Sequence, residues 1–272
     1  MTMTSIKRYY LHQPIQSATT FPAEAYSLMK HGCVDSLRYF ANELNRLISD
    51  IVSPGTTYQI AATPFVSVPN AANLLLDEVL NNRDYDEFDR VYLRRKKLIA
   101  RDFAELSYAE RMGMSQCLAF DYDKSDFSGR SLIVVDDVRV TGAHERAIVS
   151  RLGHIVTEFN FFYLLDLSGC QDAAFESVIN TLAIKSIFDI LPLRQNRSYT
   201  YNSRVLKMLF LSSDDEFRTF LTLIPRAEQL LLMEMIVLEG YQMLGASYQK
   251  KCRLMEEICD QMPTDLGLKL QA

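Results

Sequence analysis

The sequence predicts an α/β fold: a parallel β-sheet flanked by helices, with a helical C-terminal appendage. Three observations predict it. Strand-like and helix-like segments alternate from Tyr58 to Ile190, the pattern of a parallel sheet covered on both faces. Leu132-Ile133-Val134-Val135 is an unbroken apolar run, as expected of a strand buried on both sides. From Pro192 onward only helical spacing remains. A chain of 272 residues accommodates one large domain, or a domain with an appendage. The expected division is an α/β domain over 1–195 and a helical appendage over 196–272.

Residues 1–22 are polar, carry Pro14 and Pro22, and read as irregular. A short helix is expected over 23–30, stopped at His31-Gly32. A second over 35–51 places Leu37, Phe40, Leu44, Leu47, Ile48 and Ile51 on one face. Pro54-Gly55 marks a turn. Residues 58–62 read as a strand, 63–68 as a loop, and Pro69 as the opening of a helix to Asn81. The next strand is expected over 90–93, followed at once by Arg94-Arg95-Lys96-Lys97. Adjacent cations repel unless an anion sits among them, and at such a strand end they overhang the ligand crevice. Residues 103–111 are amphipathic and 112–120 continue apolar, and Ser128-Gly129-Arg130 reads as a turn into the apolar strand.

Beyond that strand, a helix over 145–152 stops at Gly153, and a strand runs over 159–166. A helix over 170–182 and a fifth strand over 184–190 complete the α/β part. In the appendage, helical spacing covers 199–211, and Asp214-Asp215-Glu216 load acids at a helix start, which suits its dipole. Pro225 breaks or kinks that helix. Residues 227–244 are apolar nearly all round, so that helix needs burial on more than one side, as appendage core or as a dimer contact. A last helix is expected over 248–262.

The composition narrows the function classes. Net charge −5 argues against a general nucleic-acid binder. The five cysteines form no CxxC pair and the four histidines are scattered, so reduced thiols fit better than disulfides or a zinc site. Lys7 and Arg8 precede no apolar run, so no secretory signal is expected, and no uncharged stretch reaches membrane-spanning length. A cytoplasmic protein is the resulting expectation.

The chemistry concentrates at Asp136-Asp137-Val138-Arg139-Val140-Thr141-Gly142-Ala143-His144. A buried strand, a tight turn and a helix start make an anion site, because backbone N–H groups point outward and the helix dipole favours phosphate. The paired acids either accept hydrogen bonds from two vicinal hydroxyls or hold a hydrated Mg²⁺ beside a phosphate. Both arrangements suit a sugar phosphate.

This stretch resembles the phosphoribosyl pyrophosphate loop of type I phosphoribosyltransferases. The resemblance implies that Asp136 and Asp137 bind the ribose hydroxyls and help hold Mg²⁺. It implies that Arg139, Val140, Thr141, Gly142, Ala143 and His144 wrap the 5′-phosphate. The loop at Thr63 would bind pyrophosphate, with Thr63 and Ser67 as candidates, although Gly and basic residues common there are absent between Thr63 and Ala72. Arg95 and Lys96 match the Arg-Lys pair that neutralises the leaving pyrophosphate, and residues 98–126 match the family's hood, with Arg111 and Phe120 at plausible places. His144 stands where the family's loop closes with Thr. Val140 stands where the purine-salvage branch has an acid, which argues against hypoxanthine or guanine as acceptor. The segment Tyr26 to Gly32 and the helical tail look more like members from specialised biosynthetic or stress operons. The implied reaction transfers 5-phosphoribosyl to a small-molecule acceptor with Mg²⁺, in a homodimer. Two other classes remain: a regulator that binds phosphoribosyl pyrophosphate or a nucleotide without transfer, and a scaffold whose working part is the tail.

Overall fold

The structure, a computed structural model, describes residues 4–13, 21–53, 56–82, 88–96, 119–123, 127, 131–170, 175–195 and 199–261. The hydrophobic pattern of the middle third becomes a five-stranded parallel sheet in the order β1-β7-β6-β2-β3. Its strands are β1 (Ser5–His12), β2 (Tyr58–Ala62), β3 (Phe88–Arg90), β6 (Ser131–Arg139) and β7 (Glu158–Asp166). A two-stranded antiparallel ribbon, β4 (Arg94–Arg95) with β5 (Phe120–Asp121), stands beside it.

Residue alternation sorts the sheet's side chains to two faces. Ile60, Ile133, Val135, Phe162 and Leu164 pack under α1 (Ala23–Lys30), α2 (Val34–Ser49) and α3 (Ala71–Asn81). Ala61, Leu132, Val134, Phe159 and Phe161 pack on the other side with Ile148 and Leu152 of α4 (Ala143–Leu152). β2 leads outward to β3, and the chain then returns to β6 on the opposite side. The carboxyl ends of β2 and β6 therefore form a topological switch point, where a crevice opens.

Several expectations need correction. The edge strand beside β7 is not 184–190 but β1, paired in parallel from Ser5↔Glu158 to His12↔Leu165. Lys7, Arg8 and His12 mask its apolar alternation, yet Ile6 and Tyr10 pack to one face while Tyr9 and Leu11 pack to the other. Residues 187–195 form a 3₁₀ turn (Ile187–Asp189) and α6 (Ile190–Gln195). Of the strand expected over 90–93 only Arg90 is in a strand, as the last residue of β3, and β4 starts after it at Arg94. β6 continues past Val135 to Arg139, so the acid pair lies within the strand's last turn of pleat and not after it. The helix expected from Pro69 begins at Ala71, because the Asn70 side chain accepts from the Asn73 N–H at 3.0 Å and caps it. The helix expected over 170–182 is observed as α5 (Phe175–Asn180). The turns at Pro54-Gly55 and 128–130, and the hood apart from 119–123 and 127, lie outside the described residues, Arg111 among them.

The C-terminal helices share a second core with Val68, Ile184, Ile187 and Ile190. α7 (Ser203–Leu211), α8 (Asp214–Leu223), α9 (Arg226–Glu239) and α10 (Ala246–Gln261) gather Leu206, Phe217, Phe220, Leu232, Ile236 and Met255. Pro225 separates α8 from α9 as expected. α9 is buried on one side only: Leu232, Met235 and Ile236 face inward, while Leu230, Leu231, Val237 and Leu238 are exposed. The two cores touch through α1, since Leu28 packs on the C-terminal cluster. The Gly32 carbonyl also accepts from the Thr200 N–H at 2.9 Å. Among the described residues no helix is long and apolar enough to cross a membrane.

Candidate active site

At the end of β6 each acid turns forward along the strand. Asp136 accepts from the Asp137 N–H at 2.9 Å, and Asp137 accepts from the Val138 N–H at 2.8 Å. Both are buried. Their surroundings differ. Asp137 pairs with Lys30 of α1 and accepts from the Tyr26 hydroxyl at 3.4 Å. Burial alone would push its carboxyl up, but Lys30 brings it below the ordinary carboxylate range. Asp136 has no lysine or arginine partner in hydrogen-bond contact among the described residues. It faces the Thr63 hydroxyl at 3.4 Å and His144 Nδ1 at 3.4 Å, and burial pushes it up. Two neighbouring acids thus hold opposite poise.

His144 is not turned to solvent. Arg95 Nη2 donates to His144 Nε2 at 3.2 Å, and a guanidinium can only donate, so Nδ1 carries the ring proton toward Asp136. The chain Arg95–His144–Asp136 ties the basic run to the acid pair. Arg95 Nε is buried and has no hydrogen-bond partner among the described residues. Such a donor is a place for a ligand oxygen. The other cations of the run turn elsewhere. Arg94 lies over the Phe65 ring, 4.1 Å from its centroid, and Lys96 pairs at the surface with Asp121 at 2.9 Å. Lys97 lies outside the described residues.

The turn after β6 forms an open cradle. Gly142 caps α4 in the left-handed region, at φ +66° and ψ +21°. A side chain there would be strained and would meet Arg146 Nη1 at 3.4 Å and Arg139 Nη2 at 3.5 Å. The Thr141 hydroxyl accepts from the Ala143 N–H at 3.2 Å, and Arg146 donates to the Thr141 carbonyl at 2.7 Å. Arg139 bonds Glu145 at 3.3 Å, and Arg8 of β1 grips the same carboxylate at 2.6 and 2.8 Å. Burial would push Glu145 up; Arg8 and Arg139 bring it down, so its charge is already neutralised beside the cradle. Arg139 is therefore a brace for the turn.

Two adjoining clefts meet at Lys30, Asp136, Asp137, His144 and Arg204. One contains the cradle, Val138 to Glu145. The other contains Thr63, Arg95, Lys207 and Glu239. The Ser67 side chain is not part of either lining; its N–H donates to Glu239 at 3.1 Å.

Lys30, Arg204, Lys207 and Glu239 were not among the sequence candidates. Lys30 falls in the Tyr26–Gly32 segment that drew notice without a role. For the other three, helical spacing gives no hint, because only the docking of the appendage brings them to the crevice. Arg204 is aimed by the first unit: its Nε donates to His31 Nε2 at 3.3 Å, while His31 Nδ1 meets the Ser27 carbonyl at 2.8 Å.

The donors fit Mg²⁺ in a limited way. No group of three or more His, Cys, Asp or Glu that could hold a metal occurs among the described residues. One or two carboxylates suffice for a hydrated Mg²⁺ that is also held by ligand phosphates, and Asp136, free of a lysine, is the better donor.

A family model described as PRTase ComF-like matches residues 6–255. The chain belongs to the ComF-like phosphoribosyltransferase family. The match spans both the α/β unit and the C-terminal helices, so the appendage is part of this ComF-like chain's family pattern. Two crystal structures of a hypoxanthine phosphoribosyltransferase from Staphylococcus aureus match part of the chain. The tetragonal form gives a TM-score of 0.34 at 11% identity, covering 50% of this chain and 65% of that one. The orthorhombic form gives 0.33 at 11%, covering 48% and 64%. The ComF-like chain thus spans just under two thirds of the enzyme it is compared with. No curated protein matches it.

Proposed function

We propose that this protein transfers the 5-phosphoribosyl group of phosphoribosyl pyrophosphate to a small-molecule acceptor, releasing pyrophosphate. The observation that carries the reading is the placement of two buried carboxylates between a left-handed glycine cradle and the Arg95 guanidinium, whose Nε is buried and unpaired among the described residues. In this reading the 5′-phosphate rests on the N–H groups of residues 142–144, at the positive end of α4. The ribose hydroxyls donate to Asp136 and Asp137. The acceptor forms a bond to the anomeric carbon while the bond to pyrophosphate breaks and its electron pair leaves with pyrophosphate. Arg95 faces that developing charge, and its contribution is electrostatic and positional. Lys96, engaged at the surface, is dropped from this role. Mg²⁺ bound with the diphosphate would supply further neutralisation.

The acceptor is not a purine by the salvage route, because Val140 replaces the acid that route employs and packs on the apolar core. The exposed Leu230, Leu231, Val237 and Leu238 of α9 support self-association as a homodimer. The thiols of Cys33, Cys252 and Cys259, free of disulfides among the described residues, accord with a cytoplasmic setting. Incubation with phosphoribosyl pyrophosphate, Mg²⁺ and a panel of heterocyclic bases, read as pyrophosphate release, tests transfer. Release that depends on one acceptor and is lost in Arg95→Ala supports it. A second reading, ligand binding without transfer, is favoured by one observation: N–H groups of the loop after β2 are already occupied.

A further inference from the structure

The loop between β2 and α3 is the place where a pyrophosphate would find backbone donors. Two of those donors are taken. Glu239 Oε2 accepts from the Ser67 N–H at 3.1 Å and from the Val68 N–H at 2.8 Å. The carboxylate is buried and lines the same cleft as Arg95, Lys207 and Thr63. A carboxylate oxygen that accepts from two consecutive N–H groups makes the contact a phosphate oxygen would make there.

Nothing in its own helix favours Glu239 at that point. It is the last residue of α9, before the left-handed Gly240 at φ +85°, and a helix C-terminus repels negative charge. What holds it is the loop and the cations opposite. Burial pushes its carboxyl up, while the two N–H groups, Lys207 and Arg95 pull the other way. The chain therefore places an anion of its own where the ligand's leaving half would sit.

We propose that Glu239 is an internal occupant of the pyrophosphate half of the site, so that the resting cleft admits a phosphoribosyl group but keeps out a diphosphate until Glu239 gives way. This rests on the phosphoribosyl reading above and assigns the control of that site to the C-terminal helices. It also joins the two readings: a chain at rest binds sugar phosphate without transfer, and displacement of one side chain opens the leaving-group pocket.

The test is isothermal titration of the full chain with inorganic pyrophosphate and, separately, with ribose 5-phosphate. Wild type, Glu239→Gln and Glu239→Ala are compared. Gln keeps an oxygen for the two N–H groups and removes the charge, so it decides the matter if Ala fails to fold. The expected result is pyrophosphate affinity at least tenfold higher in the variants, with ribose 5-phosphate affinity changed less than threefold. Unchanged or weaker pyrophosphate binding in a folded Glu239→Gln overturns the inference. Absence of ribose 5-phosphate binding in wild type overturns the phosphoribosyl reading instead, while the pyrophosphate comparison still judges Glu239.

Discussion

Asp136 and Asp137 share a strand and a burial class, yet their neighbours set them apart. Asp136 is pushed up by burial, so its ionised form destabilises the fold at neutral pH. Asp136→Asn is expected to raise stability by about 1 kcal/mol, roughly 2–4 °C in Tm, while weakening ribose 5-phosphate binding tenfold or more. Calorimetric melting and titration check the two together; a variant that binds as wild type does removes Asp136 from the ribose site. Asp137 carries the opposite sign. Lys30 holds its folded value below the unfolded one, so the stabilisation is complete above the ordinary carboxylate range and is lost as pH falls through the folded value. Lys30→Ala leaves a buried charge unpaired and is expected to cost about 3 kcal/mol at pH 7. Its deficit should shrink as pH falls into and below the ordinary carboxylate range, as Asp137 protonates and the pairing with Lys30 is lost. A deficit in denaturant melts that is flat from pH 7 to pH 3 contradicts the pairing. Because of Lys30, Asp137→Asn is a stability variant as well as a binding one, which a reading of the acid pair by itself does not anticipate.

At the scale of elements, Gly32 joins the end of α1 to the segment that leads into α7, accepting from the Thr200 N–H at 2.9 Å. It sits at φ +91°, and a Cβ there would come within 1.9 Å of the Thr200 carbonyl oxygen. Gly32→Ala is therefore expected to destabilise by about 3 kcal/mol, with the Gly32–Thr200 hydrogen bond lost; thermal melting checks it, and a shift under 1 °C contradicts it. The sequence reveals Gly32 as a helix stop but not as a seam. The same contrast runs through the fold. Tyr58–Ala62, β7 and the helix carrying Phe40 and Leu44 are legible because apolar residues dominate their buried positions, with Gln59 and Asn160 the buried polar exceptions in the two strands. β1 is not, because an edge strand tolerates Lys7 and Arg8, and Arg8 is spent on Glu145 across the sheet. Ile184, Ile187 and Ile190 read as a strand by composition, but the Ser186–Asp189 capping box turns that segment into a helical one.

For the molecule as a whole, the site draws on both the sheet and the C-terminal helices. The α/β unit supplies the acids, the cradle and Arg95. The C-terminal helices close the crevice with Arg204, Lys207 and Glu239. Acids, cradle and cationic edge are visible in sequence because each is local to one strand end. The closing residues depend on docking more than a hundred positions away from the loop they face, so no local pattern marks them. The central claim is that one sugar phosphate spans acids and cradle. The most direct measurement is a crystal structure of the protein soaked with ribose 5-phosphate. The account predicts the phosphate against the N–H groups of residues 142–144 and both ring hydroxyls on Asp136 and Asp137. A crevice left empty at saturating ligand, or a phosphate bound elsewhere with the acids untouched, would contradict it.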